Sequence, residues 1–418
     1  MNQVESLNFL THQEAALVAE QFGTPVFVYD EKILQRQADA ALSFDAPFGL
    51  TVRYAMKANP NSHILRVLDK RGIEIDASSG YEAERAILAG IAPQKILITS
   101  QEFPKNLTDL VEQGVQFNAC SLHQLRQYGE LFPDTKVSIR INPGLGSGHS
   151  NRTNVGGPSS SFGIWHEYID EVLAISKQYR LTINRLHTHI GSGSDPEVWT
   201  KAASLSLEQA KQLPDVEVLD LGGGFKVARM EDEIGTDLKV IGPVIGAAFK
   251  KFYKQTGRKL KLEIEPGTYL VANAGCLVSR IHDIVDTGKS GYTFLKVDTG
   301  MTEILRPSLY GAQHPLIVVN NQPANPQKYV VVGHCCESGD LLTPYPGDPE
   351  AIAERLLQKA NIGDLMVIEA VGAYCAAMSA QNYNSFPLRS EVLKTVDGKF
   401  VEICRRETLQ AMLSLEAN

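Results

Sequence analysis

The first two thirds of the chain alternate between two kinds of hydrophobic pattern. Amphipathic segments with helical periodicity, such as SHILRVLDKR, PKNLTDLVEQG and YIDEVLAISKQY, separate short β-branched or apolar runs. These runs are TVRYAMKAN, GIEIDASS, KILITS, VQFNACS, KVSIRINPG, RLHTHIGS, VEVLDLGGGF and KLKLEIEPG. Eight strands that alternate with helices predict an N-terminal (β/α)8 TIM-like barrel, which we place at residues 31–275.

The pattern changes at about residue 276. Strand-like runs such as YTFLKVDTG, QKYVVVGHCCESGD and VLKTVDGKFVEICRR now follow one another, and turn signals such as VDGK lie between them. We therefore expect a C-terminal all-β barrel or sandwich domain over residues 276–418. The early run TPVFVYDEK precedes the first barrel strand, so we expect the segment 1–30 to pack with this β domain.

An open, doubly wound sheet is the main alternative to the barrel. Such sheets often carry a G-x-G-x-x-G fingerprint where a strand leads into a helix. The run LGGGF lacks that spacing. The barrel is therefore the favoured interpretation.

Composition narrows the class of protein. The chain has 418 residues, of which 43% are hydrophobic and 21% charged, as in an ordinary globular enzyme. A net charge of −8 without a basic block argues against a nucleic-acid partner. No secretory signal or stretch of bilayer length is present, so we expect a cytoplasmic protein that is not membrane-bound. Six cysteines without a C-x-x-C pair indicate reduced thiols.

Polar residues gather at the C-terminal end of each predicted barrel strand. In a (β/α)8 barrel these ends meet at one rim, where active sites are built. The residues are Lys57, Asp76, Ser100, Asn118, Asn142, His189, Gly222, Gly223, Gly224 and Glu265. The widest gap between them contains GLGSGHSNRTNVGGPSSSFGIW, which has no helical or strand period and which we interpret as a lid or substrate-shielding loop.

Two of these residues suggest specific chemistry. Lys57 is either a surface lysine or a Schiff-base lysine whose amine is activated by desolvation at the barrel mouth. In HTHIGSGS, His187 and His189 face the same side of a strand, as metal ligands would, but no third ligand cluster lies nearby in sequence. His187 is better read as a core histidine, and His189 is placed to stack on a flat cofactor.

Three glycine turns follow the last three predicted strands, in IGSGS, DLGGGF and EPGT. Each alone is an ordinary packing turn, but backbone N–H groups of several such turns can converge on an anion, and phosphate sites of these barrels lie in the loops after strands 7 and 8. Glu265 precedes the last of these turns. A pyridine nitrogen beside a bound phosphate would suit this carboxylate, and an ion pair with Lys261 is the structural alternative.

The β domain carries its own candidates. GHCCESGD places a thiol, Cys336, beside Glu337 in a polar turn, unlike an inert core cysteine. Arg306 and Tyr310 lie four residues apart, a spacing that shares one helical face and suits carboxylate binding. Tyr374 follows a strand among small residues, where its hydroxyl is placed to reach a phosphate.

Taken in order, these motifs resemble the signatures of the fold-type III pyridoxal-phosphate decarboxylases. The motifs are YAMKAN, HTHIGSGS, LDLGGGF, EIEPGTYLVANAG, RPSLYGAQHP, CESGD and GAYCAAM with NYN, and they span almost the whole chain. Within the family the pattern is nearest to the enzymes of lysine biosynthesis, and the ornithine and arginine enzymes are more distant. The resemblance implies decarboxylation of an amino acid, most closely meso-diaminopimelate to L-lysine, by a homodimer with shared active sites.

The resemblance also implies roles for single residues. Lys57 binds pyridoxal 5'-phosphate covalently, His189 stacks on its ring and Glu265 pairs with the ring nitrogen. The cofactor-binding set is Lys57, Asp76, His189, Ser192, Gly222, Gly223, Gly224, Glu265, Gly267, Thr268 and Tyr374, and no metal is implied. Cys336 corresponds to a proton-donating cysteine that acts in the partner subunit. Substrate binding falls to Arg306, Tyr310, Glu337 and Tyr374.

Two departures from the family pattern bear on the substrate. The family usually carries arginine directly after EPG, where this chain has Thr268, and the Gly/Ser-rich loop also differs. Arg306, or Arg152 in that loop, is a candidate replacement for the missing guanidinium. Enzymes acting on D-lysine, D-ornithine or carboxynorspermidine stay open as alternatives.

Proteins of other classes share parts of the pattern. Alanine-racemase-like enzymes pair the pyridine nitrogen with arginine, so Glu265 favours decarboxylation. A non-catalytic homologue is disfavoured because both Lys57 and Cys336 are retained. A metal-dependent hydrolase using His187, His189 and Asp76 lacks the further ligands such sites have.

Overall fold

The computed structural model describes residues 4–145, 156–189, 195–320 and 325–417. The chain forms two compact units. One consists of Gln35–Val227 and Ile234–Leu270, and the other of Met1–Leu34, Ala228–Glu233 and Val271–Asn418. We call them the barrel unit and the β unit.

The described strands are β1 (Val26–Asp30), β2 (Leu50–Ala55), β3 (Glu74–Ala77), β4 (Ile96–Thr99), β5 (Gln116–Ala119), β6 (Lys136–Asn142), β7 (Ile164–Trp165), β8 (Thr182–Thr188), β9 (Val218–Asp220), β10 (Lys261–Ile264), β11 (Gly275–Asp286), β12 (Thr293–Val297), β13 (Leu316–Val319), β14 (Gln327–Val332), β15 (Pro344–Tyr345), β16 (Asp348–Ile352), β17 (Arg355–Leu357), β18 (Leu365–Ile368), β19 (Ser390–Lys394) and β20 (Phe400–Cys404). The described α-helices are α1 (His12–Phe22), α2 (Glu31–Leu42), α3 (Ser62–Lys70), α4 (Gly80–Leu88), α5 (Leu107–Glu112), α6 (Leu122–Leu131), α7 (Ile169–Tyr179), α8 (Pro196–Lys211), α9 (Leu238–Thr256), α10 (Thr268–Val271), α11 (Arg306–Tyr310) and α12 (Leu409–Met412).

Eight of the described strands close the barrel. They follow the order β5-β4-β3-β2-β10-β9-β8-β6, all neighbours are parallel, and β5 also pairs with β6. The short strand β7 adds to β6. Because an open sheet would leave two edge strands unpaired, this closure confirms the (β/α)8 barrel and excludes the doubly wound alternative.

Polar caps start several barrel helices soon after the preceding strands end. The side chains of Asn61, Ser79 and Ser121 accept hydrogen bonds from backbone N–H groups in the first turns of α3, α4 and α6. Asp195 and Asp237 cap α8 and α9 in the same way. A cap satisfies an N–H group that has no partner within the helix, so the chain turns sharply from strand to helix at the rim that carries the candidate residues.

Strand register brings distant polar residues side by side in the barrel. His187 on β8 lies opposite Asp220 on β9, and Asp220 lies opposite Glu263 on β10. On the other side of β10, β2 pairs with β3 so that Ala55 lies opposite Asp76. Since alternate residues of a strand face the same side, Glu265 continues the face of Glu263 one step beyond the end of β10.

The β unit is built on a mixed sheet ordered β17-β14-β12-β11-β1-β19-β20, in which β18 pairs with β11 and β13. Strand β1, from the early TPVFVYDEK run, is antiparallel to β11 and parallel to β19. A buried cluster that includes Val28, Val278 and Val392 joins this sheet to Val18 of α1. The N-terminal segment therefore belongs to the core of the β unit. Among the helices of the described residues, none is both long enough and apolar enough to cross a membrane.

Candidate active site

The carboxyl ends of the barrel strands carry the candidate residues of this unit. Lys57 lies in a 3-10 turn, Met56–Ala58, directly after β2, and its side chain is exposed. Asp76 is buried in β3, and one of its oxygens, Oδ1, has no hydrogen-bond partner among the described residues. His189 follows β8 and Glu265 follows β10. Burial is the main cause of the pKa shifts of Glu265, whose pKa is raised, and of His189, whose pKa is lowered; the positive charge of Lys57 makes a smaller, lowering contribution to each.

Glu265 is almost fully buried, and its Oε2 atom lies 3.3 Å from Nε2 of His187. Nδ2 of Asn118 lies 2.9 Å from Nδ1 of His187. Because the amide NH2 group donates, Nδ1 accepts, and the proton of a neutral His187 lies on Nε2, facing Glu265. The other carboxylate oxygen, Oε1, has no hydrogen-bond partner among the described residues. The carboxylate therefore lies close to the imidazole of His187 at Oε2, and no described residue satisfies its Oε1.

A second buried carboxylate lies beside this pair. Asp220 is fully buried, and one atom from each of Asp220, His187 and Glu265 lies within 4.8 Å of the others. Burial and then the charge of Asp76 raise the pKa of Glu265 to about 8, whereas burial and then Glu265 raise the pKa of Asp220 well above its usual value. Burial lowers the pKa of His187 to about 4. Two carboxylates this close cannot both be charged in a buried site unless a cation lies beside them.

The glycine turn after β9 leaves no room for side chains. A Cβ atom at Gly223 would lie 2.5 Å from the carbonyl oxygen of Glu265, and one at Gly222 would lie 2.8 Å from Cβ of His189. Gly222 and Gly224 also have left-handed φ angles of +69° and +104°. The N–H of Gly222 donates to Asp220 at 2.8 Å, and its carbonyl accepts from the N–H of Glu265 at 2.8 Å. Glycine therefore allows the turn to lie against both His189 and the end of β10.

His189 presents an imidazole beside this turn. Its Nδ1 atom is buried and has no hydrogen-bond partner among the described residues. Burial, and then the charge of Arg140, hold its pKa well below the usual value, so the ring is neutral at pH 7. A neutral imidazole ring is suited to stacking on another flat ring. Gly267 and Thr268 continue from Glu265 into α10. Ser192 and Arg152 lie outside the described residues.

An ion network below this rim was missed by the sequence reasoning. Glu263 is buried, and its Oε2 atom lies 2.8 Å from Nε of Arg185 and 3.3 Å from Nε of Arg53. Arg53 also lies 3.0 Å from Glu74. Arg53, followed by Arg185, lowers the pKa of Glu263 against the effect of burial. The signal was the alternation of β10, since a second acid stands two residues before Glu265 on the same face.

In the β unit, Cys336 and Glu337 lie on the loop after β14. Both side chains are exposed, and the backbone N–H of Cys336 donates to Oδ1 of Asn384 at 2.8 Å. Glu337 accepts from the N–H of Gly339 at 3.0 Å and from the Tyr383 hydroxyl at 3.4 Å. These hydrogen bonds hold the two candidate side chains in an ordered turn.

Asp340 anchors the base of that loop. Its carboxylate accepts backbone N–H groups from Met301 at 2.7 Å and Cys335 at 2.9 Å. A Cβ atom at Gly300 or Gly333 would lie 2.2 or 2.1 Å from this carboxylate, so both positions require glycine. Burial, and then Asp340, raise the pKa of Cys335 to about 12. Of the two adjacent thiols, Cys335 is therefore held protonated at the base of the loop, and Cys336 is the exposed one.

The remaining candidates of the β unit are Arg306, Tyr310 and Tyr374. Arg306 and Tyr310 are the first and last residues of α11. Tyr374 has a left-handed φ of +56°, which is rare for a bulky residue and typical of functional sites. The sequence reasoning missed Arg229, whose pKa is lowered to about 9 by burial and then by the charge of Arg306, with a smaller, opposite contribution from Tyr374. No local pattern in FKVARMEDE distinguishes it from a surface arginine.

The barrel site fits pyridoxal phosphate. A protonated ring nitrogen would supply a cation beside the buried Glu265 and Asp220, and Lys57, an exposed residue, carries the primary amine that a covalent bond needs. His187, Asp220 and Glu265 would also suit a small metal ion by their donor atoms alone. Comparison with known proteins separates these two possibilities.

Residues 30–272 match the family described as "pyridoxal-dependent decarboxylase, pyridoxal binding domain". The chain is 35% identical over 418 residues to diaminopimelate decarboxylase of Escherichia coli strain K12, and the match covers 97% of each chain. A crystal structure of a diaminopimelate decarboxylase superposes with a TM-score of 0.90 at 34% identity and 97% coverage of both chains. The Helicobacter pylori enzyme, complexed with L-lysine, superposes with a TM-score of 0.85 at 28% identity and covers 96% of this chain and 98% of its own.

The fold and the matched domain define a pyridoxal-phosphate-dependent carboxy-lyase with a TIM-like barrel. Within that class, the chain belongs to the diaminopimelate decarboxylase family. The resemblance noted from the sequence motifs is therefore confirmed, and pyridoxal phosphate is the cofactor of the site.

Proposed function

We propose that this enzyme decarboxylates meso-diaminopimelate to L-lysine in lysine biosynthesis. Full-length relatives support this substrate, because they carry the name diaminopimelate decarboxylase at 35% identity. The observation in the site that supports decarboxylation best is Glu265, a buried carboxylate with one oxygen that no described residue satisfies. A carboxylate at this position keeps a ring nitrogen protonated, which a racemase-like arginine would not do.

The barrel of residues 31–275 holds the cofactor in this proposal. Lys57 would bind its carbonyl covalently, His189 would pack against the ring, and Glu265 would hold a proton at the ring nitrogen. Nε2 of His187 lies 3.3 Å from Oε2 of Glu265. The phosphate is bound by Ser192, by the Gly222 to Gly224 turn, and by Gly267 with Thr268. The remaining cofactor-binding residues are Asp76 and Tyr374. When bound, pyridoxal phosphate supplies an electron sink for the bond that breaks on loss of CO2.

The chain's own residues carry the proton and orient the substrate. The bond between Cα and the carboxylate breaks, CO2 leaves, and a proton must take its place on Cα. The thiol of Cys336 supplies this proton, because Cys336 is exposed whereas Cys335 is held protonated beside Asp340. Arg306, Tyr310, Glu337 and Tyr374 bind the substrate.

We further propose a cytoplasmic homodimer in which Cys336 and Glu337 of one protomer serve the site of its partner. The exposure of both side chains supports this arrangement, since a proton donor must reach its substrate. All six cysteines are free thiols, as in proteins of a reducing compartment. Sedimentation analysis should give twice the mass of the 45.8 kDa chain. A monomer with full activity would contradict the shared site.

A panel of amino acids tests the substrate. The purified holoenzyme is incubated with meso-diaminopimelate, D-lysine, D-ornithine or carboxynorspermidine, and CO2 and the amine product are measured. We expect CO2 and L-lysine in equal amounts from meso-diaminopimelate, with the highest kcat/KM of the panel. Preference for another member would replace the substrate assignment. No CO2 from any of them would instead favour a non-catalytic homologue.

A further inference from the structure

Arg229 is a cation in which one outer nitrogen, Nη2, has no hydrogen-bond partner among the described residues. It lies in Ala228–Glu233, the short segment that belongs to the β unit. Its Nε atom donates to the carbonyl of Ala370 at 3.3 Å, and its backbone N–H donates to the carboxylate of Glu233 at 2.9 Å. Its Nη2 atom is shielded from solvent and has no hydrogen-bond partner among the described residues. The guanidinium is therefore hydrogen-bonded through Nε, and the N–H groups of Nη2 can donate to a ligand.

A second guanidinium lies in the same part of the β unit. Nε of Arg306 is also shielded from solvent and without a hydrogen-bond partner among the described residues. The charges of Arg306 and Arg229 both act on the buried side chains of His314 and Cys375, and Arg306 acts on Arg229 itself. Burial and then Arg306 lower the pKa of Arg229 to about 9, which leaves it charged at pH 7. Two neighbouring cations that are only partly exposed repel each other, and an anion between them would offset that cost.

The backbone turn beside these two arginines packs closely against a neighbouring segment of backbone. Ala370, which accepts from Arg229, has a φ of +56°, as does Tyr374. A Cβ atom at Gly372 would lie 1.9 Å from the carbonyl oxygen of Val271, so the turn between them packs directly on the backbone. Strained residues held this firmly are typical of ligand sites. Tyr374 thus lies in a rigid turn to which Arg229 is hydrogen-bonded.

We propose that Arg229 and Arg306 together bind one carboxylate of the substrate, the one that is retained in the product. Arg229 then replaces the guanidinium that the family carries after EPG and that Thr268 does not provide. A planar guanidinium can give two parallel N–H bonds to a carboxylate, so the pair selects a substrate with a second carboxylate over D-lysine and D-ornithine. This inference rests on the proposed function for the identity of the substrate.

Three variants test it. Arg229→Gln removes the charge, Arg229→Lys keeps the charge without the planar fork, and Lys289→Gln removes an exposed charge of the β unit as a control. We expect Arg229→Gln to raise KM for meso-diaminopimelate by roughly 10- to 100-fold with a smaller change in kcat, because a charged hydrogen-bond pair is lost. Arg229→Lys should fall between wild type and Arg229→Gln, and Lys289→Gln should match wild type. If Arg229→Gln does not fold, the Arg229→Lys value decides.

A binding measurement separates this inference from the proposed function. Calorimetry with pimelate, a dicarboxylate without amines that cannot be decarboxylated by this chemistry, should show the same weakening in Arg229→Gln holoenzyme. If wild type releases no CO2 from meso-diaminopimelate but binds pimelate through Arg229, the proposed function fails and the carboxylate site stands. KM and pimelate affinity within twofold of wild type would overturn the site. The site would also be overturned if Arg229→Gln lowered the affinity for pyridoxal phosphate but left the affinity for pimelate unchanged.

Discussion

Nε2 of His187 lies 3.3 Å from Oε2 of Glu265, although the two residues are 78 positions apart in the chain. The neighbouring acid on the same strand face, Glu263, has two arginines as partners, and its pKa is lowered. Glu265 lies beside the neutral imidazole of His187 and the carboxyl group of Asp220, and burial raises its pKa to about 8. Two glutamates two residues apart therefore have opposite electrostatic environments. The environment of Glu263 suits a permanent ion pair, whereas that of Glu265 suits a cation that the bound cofactor supplies.

Lys57→Ala should strongly weaken retention of the cofactor, because the covalent bond from this amine is lost and only non-covalent contacts remain in our proposal. We expect the visible absorption band of the bound cofactor to disappear after gel filtration, and CO2 release to fall by at least about 10³-fold. Lys250→Ala, which changes an exposed lysine of α9, is the control and should behave like wild type. A Lys57→Ala protein that keeps both the band and the activity would disprove the role of Lys57.

Cys336→Ala should keep the cofactor and lose turnover. Removing a proton donor typically costs about 10²–10⁴-fold in rate, and we expect that loss in kcat with an unchanged absorption spectrum. Cys335→Ala is the matched control, because the adjacent thiol has a pKa raised to about 12 and is not placed to give up its proton. Initial rates of CO2 release would distinguish the two variants. Equal loss in both variants would mean that the loop, and not the thiol of Cys336, matters.

The stability of the cofactor-free enzyme should fall as the pH rises from 6.5 to 8. Glu265 has a pKa of about 8 in the folded protein and 4.5 as its ordinary value, so the folded state binds more protons in this range and loses that advantage as the pH rises. His187, with a pKa lowered to about 4, has the opposite effect, but only below its ordinary value of 6.5.

Glu265→Gln removes this contribution together with the effect of Glu265 on the pKa of Asp220. The free energy of unfolding of wild type should drop by roughly 1–2 kcal/mol more than that of Glu265→Gln between these pH values. Urea titrations at several pH values measure the difference. Glu369, whose pKa is raised to about 7 in the β unit, acts equally in both proteins and cancels. Parallel pH profiles for the two proteins would show that Glu265 is already ionised without the cofactor.

Glu263→Gln should destabilise the barrel strongly. It leaves Arg53 and Arg185 buried without their shared carboxylate, a change that typically costs about 3–5 kcal/mol. Glu217→Gln breaks an exposed pair with Lys136, whose side chains are 69% and 63% exposed, and should cost at most about 1 kcal/mol. Urea midpoints of the cofactor-free proteins provide the test. Similar midpoints for both variants would contradict a structural role of the buried network.

The barrel could be predicted because its signal is local. Period-2 and period-3.6 patterns alternate along the chain, and the rule that parallel strand ends share one rim placed Lys57, His189 and Glu265 on the same rim before any contact was known. The glycine turn DLGGGF was also visible, since Gly222 and Gly224 have the left-handed φ angles that glycine adopts freely. These features belong to the cofactor site, so the pattern indicated the chemistry before it indicated the substrate.

Strand register and burial were decided only by the tertiary structure. Sequence reasoning offered Lys261 as a structural partner for Glu265 and treated His187 as a core residue, whereas the register of β8, β9 and β10 places His187 and Asp220 beside Glu265. Arg229 is a stronger case, because it follows the barrel's glycine turn in the chain but belongs to the β unit. The sequence by itself determined the elements and the cofactor chemistry. Long-range packing decided which charged side chains lie next to each other. Electrostatic pairing depends on distance and burial, and the local sequence pattern encodes neither.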